Sequence, residues 1–403
     1  MAPKRVFGLH PNVFFLGLVS FFTDISSELV FTLLPLFLFN VLRVSTPIIG
    51  LIEGIAESTA TLLKFFSGWL SDKVGTRKWL AVVGYGVSVA VKPFMYFATA
   101  WGAVLGVRFA DRVGKGIRSA PRDALIADSI TAAERGKAFG VHRTMDTSGA
   151  LLGILLAALV VLLTQGGRLE LTSETYRYLV IFGLVPALLA MVMFFFVREK
   201  GRQAPFAVDR EPHITPGVLS GEVKGFDVRF KIFVGLTVVF TLGHFSDAFL
   251  ILRAQERGNS VFMTLLMLAT FNLVYSLVSV PAGVLSDKIG RKAVMLLGWA
   301  LSVLVYLGFA AADSLWHVWL LFAVYGLYYG MTEGVARAFV ADLVGEERRG
   351  TAYGIYHGAV GASLLPASII AGFLWHAVDP AAPFLFGAGL SFLAAVGLLA
   401  WMR

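Results

Sequence analysis

The chain has 403 residues, of which 57% are hydrophobic and 15% charged, with a net charge of +8 and no cysteine. A soluble domain carries about 25% charged residues, so together with a mean hydropathy of +0.76 this composition excludes a water-soluble globular protein. The missing cysteines exclude disulfides, thiolate metal sites and a cysteine nucleophile.

Apolar runs of about 20 residues, the length that crosses the hydrocarbon as helix, recur from Val13 to Trp401. They predict twelve spans, at 12–40, 46–70, 79–100, 102–126, 138–164, 176–197, 230–254, 259–285, 291–312, 316–341, 351–376 and 380–402. The first has the outline of a signal peptide, but it runs past Leu38, contains Asp24 and Glu28 and lacks a small-residue cleavage site, so it reads as a retained span. The polar insert from Arg198 to Phe230 holds Pro205, Pro212 and Pro216 and reads as an irregular linker. The expected organisation is an N-terminal six-helix bundle (1–197), a cytoplasmic linker (198–229) and a C-terminal six-helix bundle (230–403). Lys4, Arg5, Arg77, Lys78, Lys137, Lys288, Arg291, Lys292 and the linker's basic residues fall on one side, whereas the opposite connections carry only Arg43, Arg168, Arg177 and Arg257. The positive-inside rule then puts both termini on the cytoplasmic face of a cytoplasmic membrane, and this placement, not nucleic acid, explains the positive charge.

The stretch Gly68-Trp-Leu-Ser-Asp72-Lys-Val-Gly75-Thr-Arg77-Lys78 recurs as Gly283-Val-Leu-Ser-Asp287-Lys-Ile-Gly290-Arg291-Lys292. Ile126-Ala-Asp128 followed by Arg135-Gly-Lys-Ala-Phe-Gly140 recurs as Val340-Ala-Asp342 followed by Arg349-Gly-Thr-Ala-Tyr-Gly354, at nearly the same offset. Two pairs sharing one offset describe a single duplicated architecture. The doubled basic turn resembles the signature loop of the major facilitator superfamily, and Arg112-Val-Gly-Lys-Gly116 is similar to that family's second motif. The family's proline-containing motif of the fifth span is not matched; Met145-Asp-Thr-Ser-Gly-Ala-Leu-Leu-Gly153 stands there instead. The resemblance implies an all-α polytopic membrane protein, two six-helix bundles related by a pseudo-twofold axis about a central cavity, working as a secondary transporter by alternating access. It also implies that Gly68, Asp72, Gly75, Arg77, Gly283, Asp287 and Gly290 form a conformational latch. An acid at Asp72 can cap a neighbouring helix or pair with an arginine, and the glycines permit a tight turn.

An ionisable residue at mid-helix depth costs about 2.5–3.5 kcal/mol on insertion scales and is by default a functional candidate. Asp24 and Glu28 lie one turn apart in the first span, as do Glu53 and Glu57 in the second, followed by Lys64. Lys92 stands beside Pro93 in the third span, and the fifth opens with His142, Arg143 and Asp146. Arg108, Asp111, Arg112, Lys115 and Arg118 form a stripe on the fourth that must face protein or water. His244 and Asp247 sit in the seventh span, Glu333 and Arg337 in the tenth. In the resembled fold, spans one, four, seven and ten line the cavity. The residues expected to bind substrate or couple protons are therefore Asp24, Glu28, Arg108, Arg112, His244, Asp247 and Glu333. Asp24 or Asp247 is the expected protonation site, with Arg108 and Arg112 holding an anionic group of the substrate or the unprotonated acid. Glu53, Glu57, Lys64 and Lys92 read as structural ion pairs or mouth residues, and Tyr325, Tyr328 and Tyr329 as a face that stacks on substrate or packs.

No nucleotide-binding loop and no nucleophile–base–orienter set is present, so neither an ATP-driven pump nor an enzyme is expected. The expected function is secondary active transport of a small organic solute, proton-coupled and outward. Uptake of an anionic metabolite, export of a divalent metal such as iron or manganese, and a non-transporting lipid flippase or receptor are the alternatives. The expected partners are a small-molecule substrate, protons and the lipid bilayer, with no nucleic acid, cofactor or resident metal, and the chain is expected to act as a monomer.

Overall fold

The computed structural model describes residues 5–74, 76–131, 134–199, 226–345 and 348–402. Within them the chain makes twelve helical traverses. α1 (Pro11–Phe31) continues through Leu34–Leu36 and a wider turn at Phe37–Val41, a break explained by Pro35, which has no N–H to donate back into the helix. α2 (Thr46–Val74), α3 (Arg77–Val91, tightened at Lys92–Phe97), α4 (Trp101–Asp128), α5 (Arg135–Gln165) and α6 (Ser173–Met193) complete the first set. The second set comprises α7a (Val228–Leu242), α7b (Ala248–Glu256), α8 (Val261–Ile289), α9 (Arg291–Ala311), α10 (Leu315–Asp342), α11 (Arg349–Ala377) and α12 (Ala382–Met402).

Eight of these helices are long and apolar enough by themselves to cross a membrane. α2 and α4 have the length, but their charges (Glu53, Glu57 and Lys64; Arg108, Asp111, Arg112 and Lys115) depress their hydropathy. Those charges are affordable because they point between helices. Outward faces carry Leu163, Phe195, Val280 and Leu304, each more than 60% exposed, where acyl chains and not water would meet them.

Span seven, expected to be continuous, is broken at Gly243–Asp247, leaving α7b as a separate short helix. Irregular backbone at membrane depth survives only where protein or a wet cavity meets its polar groups. Here the Ser246 amide donates to Ser368 Oγ at 3.2 Å and the His244 amide to Thr241 O at 2.9 Å. A side chain at Gly243 would lie 2.8 Å from Gly387 O, so close backbone approach fixes the break.

In the first set α1 packs on α5 and α6, and α4 on α2 and α3; in the second α7a packs on α11 and α12, and α10 on α8 and α9. The arrangement repeats, as the duplicated sequence requires. Between the sets the main contacts are α2 with α11 and α5 with α8. The α2–α11 seam is glycine-lined and runs from the end of the molecule away from the termini to about mid-depth. Thr46 Oγ1 donates to Gly372 O at 3.0 Å and Ser58 Oγ to Gly361 O at 2.7 Å, while a Cβ at Gly50 would sit 2.2 Å from Ser368 O. On the same end, the Val261 amide donates to Arg168 O (3.2 Å) and Gln255 Nε2 to Leu169 O (2.7 Å). Small residues let helices approach until backbones touch, so this far end is shut.

At the other end the two duplicated motifs meet each other. Arg77, from the basic turn, pairs with Asp128, and its counterpart Arg291 pairs with Asp342 at 2.5 Å. Each ion pair ties the start of one helix to the end of another inside one half, α3 to α4 and α9 to α10. The Arg77 and Lys78 amides also donate to the Glu199 carboxylate at 2.7 and 3.2 Å, which fastens the outgoing chain to the N-terminus of α3. Asp287 stands 3.6 Å from Arg291, and Gly283 has open space around it. Gly68 lies in α2, while the Asp72 side chain and Gly75 fall outside what is described. Gly290 has φ +95° and ψ 141°, a region essentially reserved for glycine. Gly290→Ala is expected to cost about 1–3 kcal/mol, measured as a lowered unfolding midpoint in detergent; an unchanged midpoint would show that the turn relaxes.

Candidate functional site

A chamber of about 550 Å³ lies between the two sets at mid-depth. It is continuous, through Tyr329, Glu333, Tyr356 and Val360, with a vestibule of about 830 Å³ that reaches Arg122, Asp123, Gly350 and Tyr353 near the termini end. With the far end shut, the pathway is open to one side only.

The chamber's first wall is acidic and basic in register. Arg108 Nη2 meets Glu53 Oε2 at 2.9 Å and lies 3.9 Å from Glu57, and Arg112 Nη2 meets Glu57 Oε1 at 2.9 Å. The spacing explains the match: each pair of residues is one turn apart on its helix, so two rungs form between α2 and α4. Arg108 and Glu53 are almost wholly buried, and Arg108 also stacks 4.8 Å from the Phe31 ring centre. The arginines expected to hold a substrate anion, or Asp24 or Asp247, are thus held by α2 carboxylates. Glu28 faces the same chamber, bonded by Thr32 Oγ1.

The second wall is aromatic. Phe240 stacks on Trp299 and on His244, whose ring also lies against Tyr306 and Tyr328. His244 is 8% exposed, and its Nδ1 lies 2.9 Å from Phe240 O. A carbonyl only accepts, so Nδ1 carries the hydrogen and Nε2 is left as an acceptor. That Nε2 is buried without a hydrogen-bond partner among the described residues. Asp247, the last residue of the α7 break, accepts from Tyr325 Oη at 2.7 Å.

Asp24 is not in the chamber; it lines the vestibule, where its carboxyl comes within hydrogen-bond reach of Asp146 on α5. Asp146 is 3.3 Å from Arg143, Arg143 Nη2 donates to Tyr275 Oη at 2.9 Å, and Tyr275 donates to Glu333, which also pairs with Arg337. This polar chain passes from α5 to α8 and α10, joining the two halves through side chains alone. Lys92 is fully buried and donates to Ser26 (2.7 Å) and Ser27 (3.2 Å), and His142 is buried against Ser20 at 3.0 Å. Both are internal to the first set.

The model of the Major Facilitator Superfamily matches residues 16–253 and again 232–403. The chain belongs to the major facilitator superfamily. The transporter is 36% identical over 397 residues to an uncharacterised MFS-type transporter of Methanocaldococcus jannaschii, covering 97% of this chain and 95% of that one. A class E tetracycline resistance protein of Escherichia coli is 31% identical over 136 residues, a third of each chain. Among solved structures, a mutant of the nucleoside transporter NupG superposes with a TM-score of 0.81 at 15% identity, covering 97% of this chain and 100% of that one. The transporter is accordingly an all-helical, multi-pass membrane protein of this fold.

Of the predicted site residues, the fold gathers Glu28, Arg108, Arg112, His244, Asp247 and Glu333 around the chamber, with Glu333 shared with the vestibule that holds Asp24. Asp24 lies apart from His244 and Asp247, so these three do not form an imidazole–carboxylate set for a divalent metal. Tyr275, Asn272, Phe240 and Trp299 also line or bridge the site and carry no charge that would have marked them in an apolar run. Asp146, singled out in the fifth span but not placed among the expected site residues, has the same insertion cost as Asp24 and belongs with it.

Proposed function

We propose that the transporter exports a small organic solute from the cytoplasm in exchange for protons, with the vestibule end facing the cytoplasm. Support for the orientation comes from the basic residues around that end, Arg77, Lys78, Lys137, Arg291 and Lys292 among them, against few at the other. The one-third-length similarity to a tetracycline resistance protein supports the outward direction.

The observation that carries the coupling is the Asp24–Asp146 carboxyl pair beside Arg143. Two carboxyl groups that hydrogen-bond each other share a proton, and losing it leaves two like charges side by side. Arg122, Lys115 and Arg118 also face the pair, but Arg143, on the same helix turn as Asp146, is the cation that links to Tyr275 of the other half. Proton loss draws Arg143 toward the acids and away from Tyr275; proton gain frees it to bridge. Protonation and the grip between the halves thereby compete for one guanidinium, which is the differential interaction a coupled conformational change requires.

Reconstituted into vesicles with an imposed pH gradient and a trapped pH dye, the transporter is expected to dissipate the gradient when solutes from a panel of organic amines, carboxylates and nucleosides are added. Asp24→Asn should keep solute exchange but lose its dependence on the gradient. Solute movement indifferent to the gradient in the parent protein, or coupling unchanged in Asp24→Asn, would overturn the reading.

A further inference from the structure

The geometry points to an organic cation as the solute: a planar group bearing a protonated nitrogen with N–H to donate, seated between Asp247 and the α2 carboxylates under the Phe240–His244–Tyr328 wall. The inference rests on the chamber being the solute site.

Four observations converge on it. First, the chamber is lined by five carboxylates (Glu28, Glu53, Glu57, Asp247 and Glu333) against two arginines. Second, those arginines are already committed to Glu53 and Glu57 at 2.9 Å, so an incoming anion would have to displace a buried partner. Third, the hydrogen-bond partners of Glu28 and Asp247 are the neutral hydroxyls of Thr32 and Tyr325. Among the described residues no lysine or arginine comes within 4.0 Å of either acid. The charged groups facing Asp247 are Glu57 and Glu53, further acids, while Lys115, Arg112 and Arg108 face Glu28 beyond contact range. The space between the halves therefore faces, on one side, Asp247 with no cationic partner in contact and, on the other, Glu57, whose charge Arg112 shares. Fourth, His244 lines the chamber with its Nε2 buried and unpartnered among the described residues, beside the equally unpartnered Tyr306 Oη, and only a donor can satisfy that nitrogen. A carboxylate, ether or halide brings no hydrogen there; an ammonium, amidinium or guanidinium does. The rings around it add the face-on attraction that aromatic groups hold for cations.

The vestibule reverses the sign, with Lys64, Lys115, Arg118, Arg122, Arg143 and Arg337 against four acids. A cation crossing the vestibule meets repulsion in either direction, so the vestibule slows entry and escape alike while the chamber does the holding. This asymmetry gives the chamber its preference for loading one charge and gives the mouth no part in holding it.

The test uses three molecules of one shape and different charge: 2-naphthamidinium, 2-naphthamide and 2-naphthoate. Each is titrated calorimetrically into the purified full-length transporter at neutral pH. The amidinium is expected to bind about tenfold or more tighter than the amide, with naphthoate weakest. Asp247→Asn should weaken the amidinium about tenfold, and His244→Phe should also weaken it while leaving the amide's weaker binding in place. If Asp247→Asn lacks a melting transition, Glu28→Gln is read in its place. Equal or tighter binding of the amide or naphthoate, no binding of the amidinium, or parent affinity in the folded acid variants would overturn the proposal. Because binding is measured without membrane or gradient, a failure of proton coupling leaves this order of affinities intact, and a failure of this order leaves coupling untouched.

Discussion

Glu53→Gln is expected to be among the most destabilising single changes in the transporter, costing about 3–5 kcal/mol. The reason is asymmetric. Arg108 is buried with its side chain 7% exposed, its direct partner is Glu53 at 2.9 Å, and Glu57 at 3.9 Å is already engaged by Arg112. Removing the carboxylate leaves a guanidinium out of water with half a partner, whereas removing both charges removes the problem. Glu53→Met combined with Arg108→Met should therefore regain most of the loss, although it alters the chamber wall. The measurement is the unfolding midpoint in detergent for the single and double variants. If the double variant were as unstable as the sum of the single ones, Glu53 and Arg108 would be energetically uncoupled and the burial argument for this rung would fail.

A bulky residue on the far-end seam is expected to invert the transporter's resting orientation. Gly50→Trp or Gly372→Trp places a side chain where even a Cβ would lie 2.2 Å from Ser368 O or 2.4 Å from Thr46 O. Those are backbone atoms at both positions, so the seam cannot give by a rotamer change; α2 and α11 must part there. The absence of native cysteines makes the readout clean. Spin labels on Arg43→Cys and Val378→Cys, both exposed near that end, should report a longer separation than in the parent, with labels near the vestibule moving closer together. An unchanged far-end distance with intact folding would show that the seam is not what holds this end shut.

Much of this arrangement was legible before any coordinates. The spacing of apolar runs located the helices to within a few residues, because membrane depth fixes their length. The insertion cost of four basic groups on α4 required that stripe to face inward, and it does. Partner choice was not legible. Glu53 and Glu57 meet Arg108 and Arg112 because of the register between α2 and α4, which no local pattern encodes. Asp24 was grouped with Asp247 because both are acids in cavity-lining spans, yet it sits with Asp146 in a different compartment. The break in α7 had a signal in Gly243-His-Phe-Ser-Asp247, a polar run flanked by glycine, but the apolar length on either side concealed it. The Arg77–Asp128 and Arg291–Asp342 pairs were recoverable in principle. A basic turn and an Ala-Asp pair that duplicate together at one offset are candidates to touch each other.

Those duplicated ion pairs have a mechanical consequence. Each buckles together the ends of helices belonging to one half, so each half behaves as a stiff beam. Were the halves to tilt about the glycine seam, these pairs would carry the tilt to the opposite end, and the width of the mouth would follow from leverage.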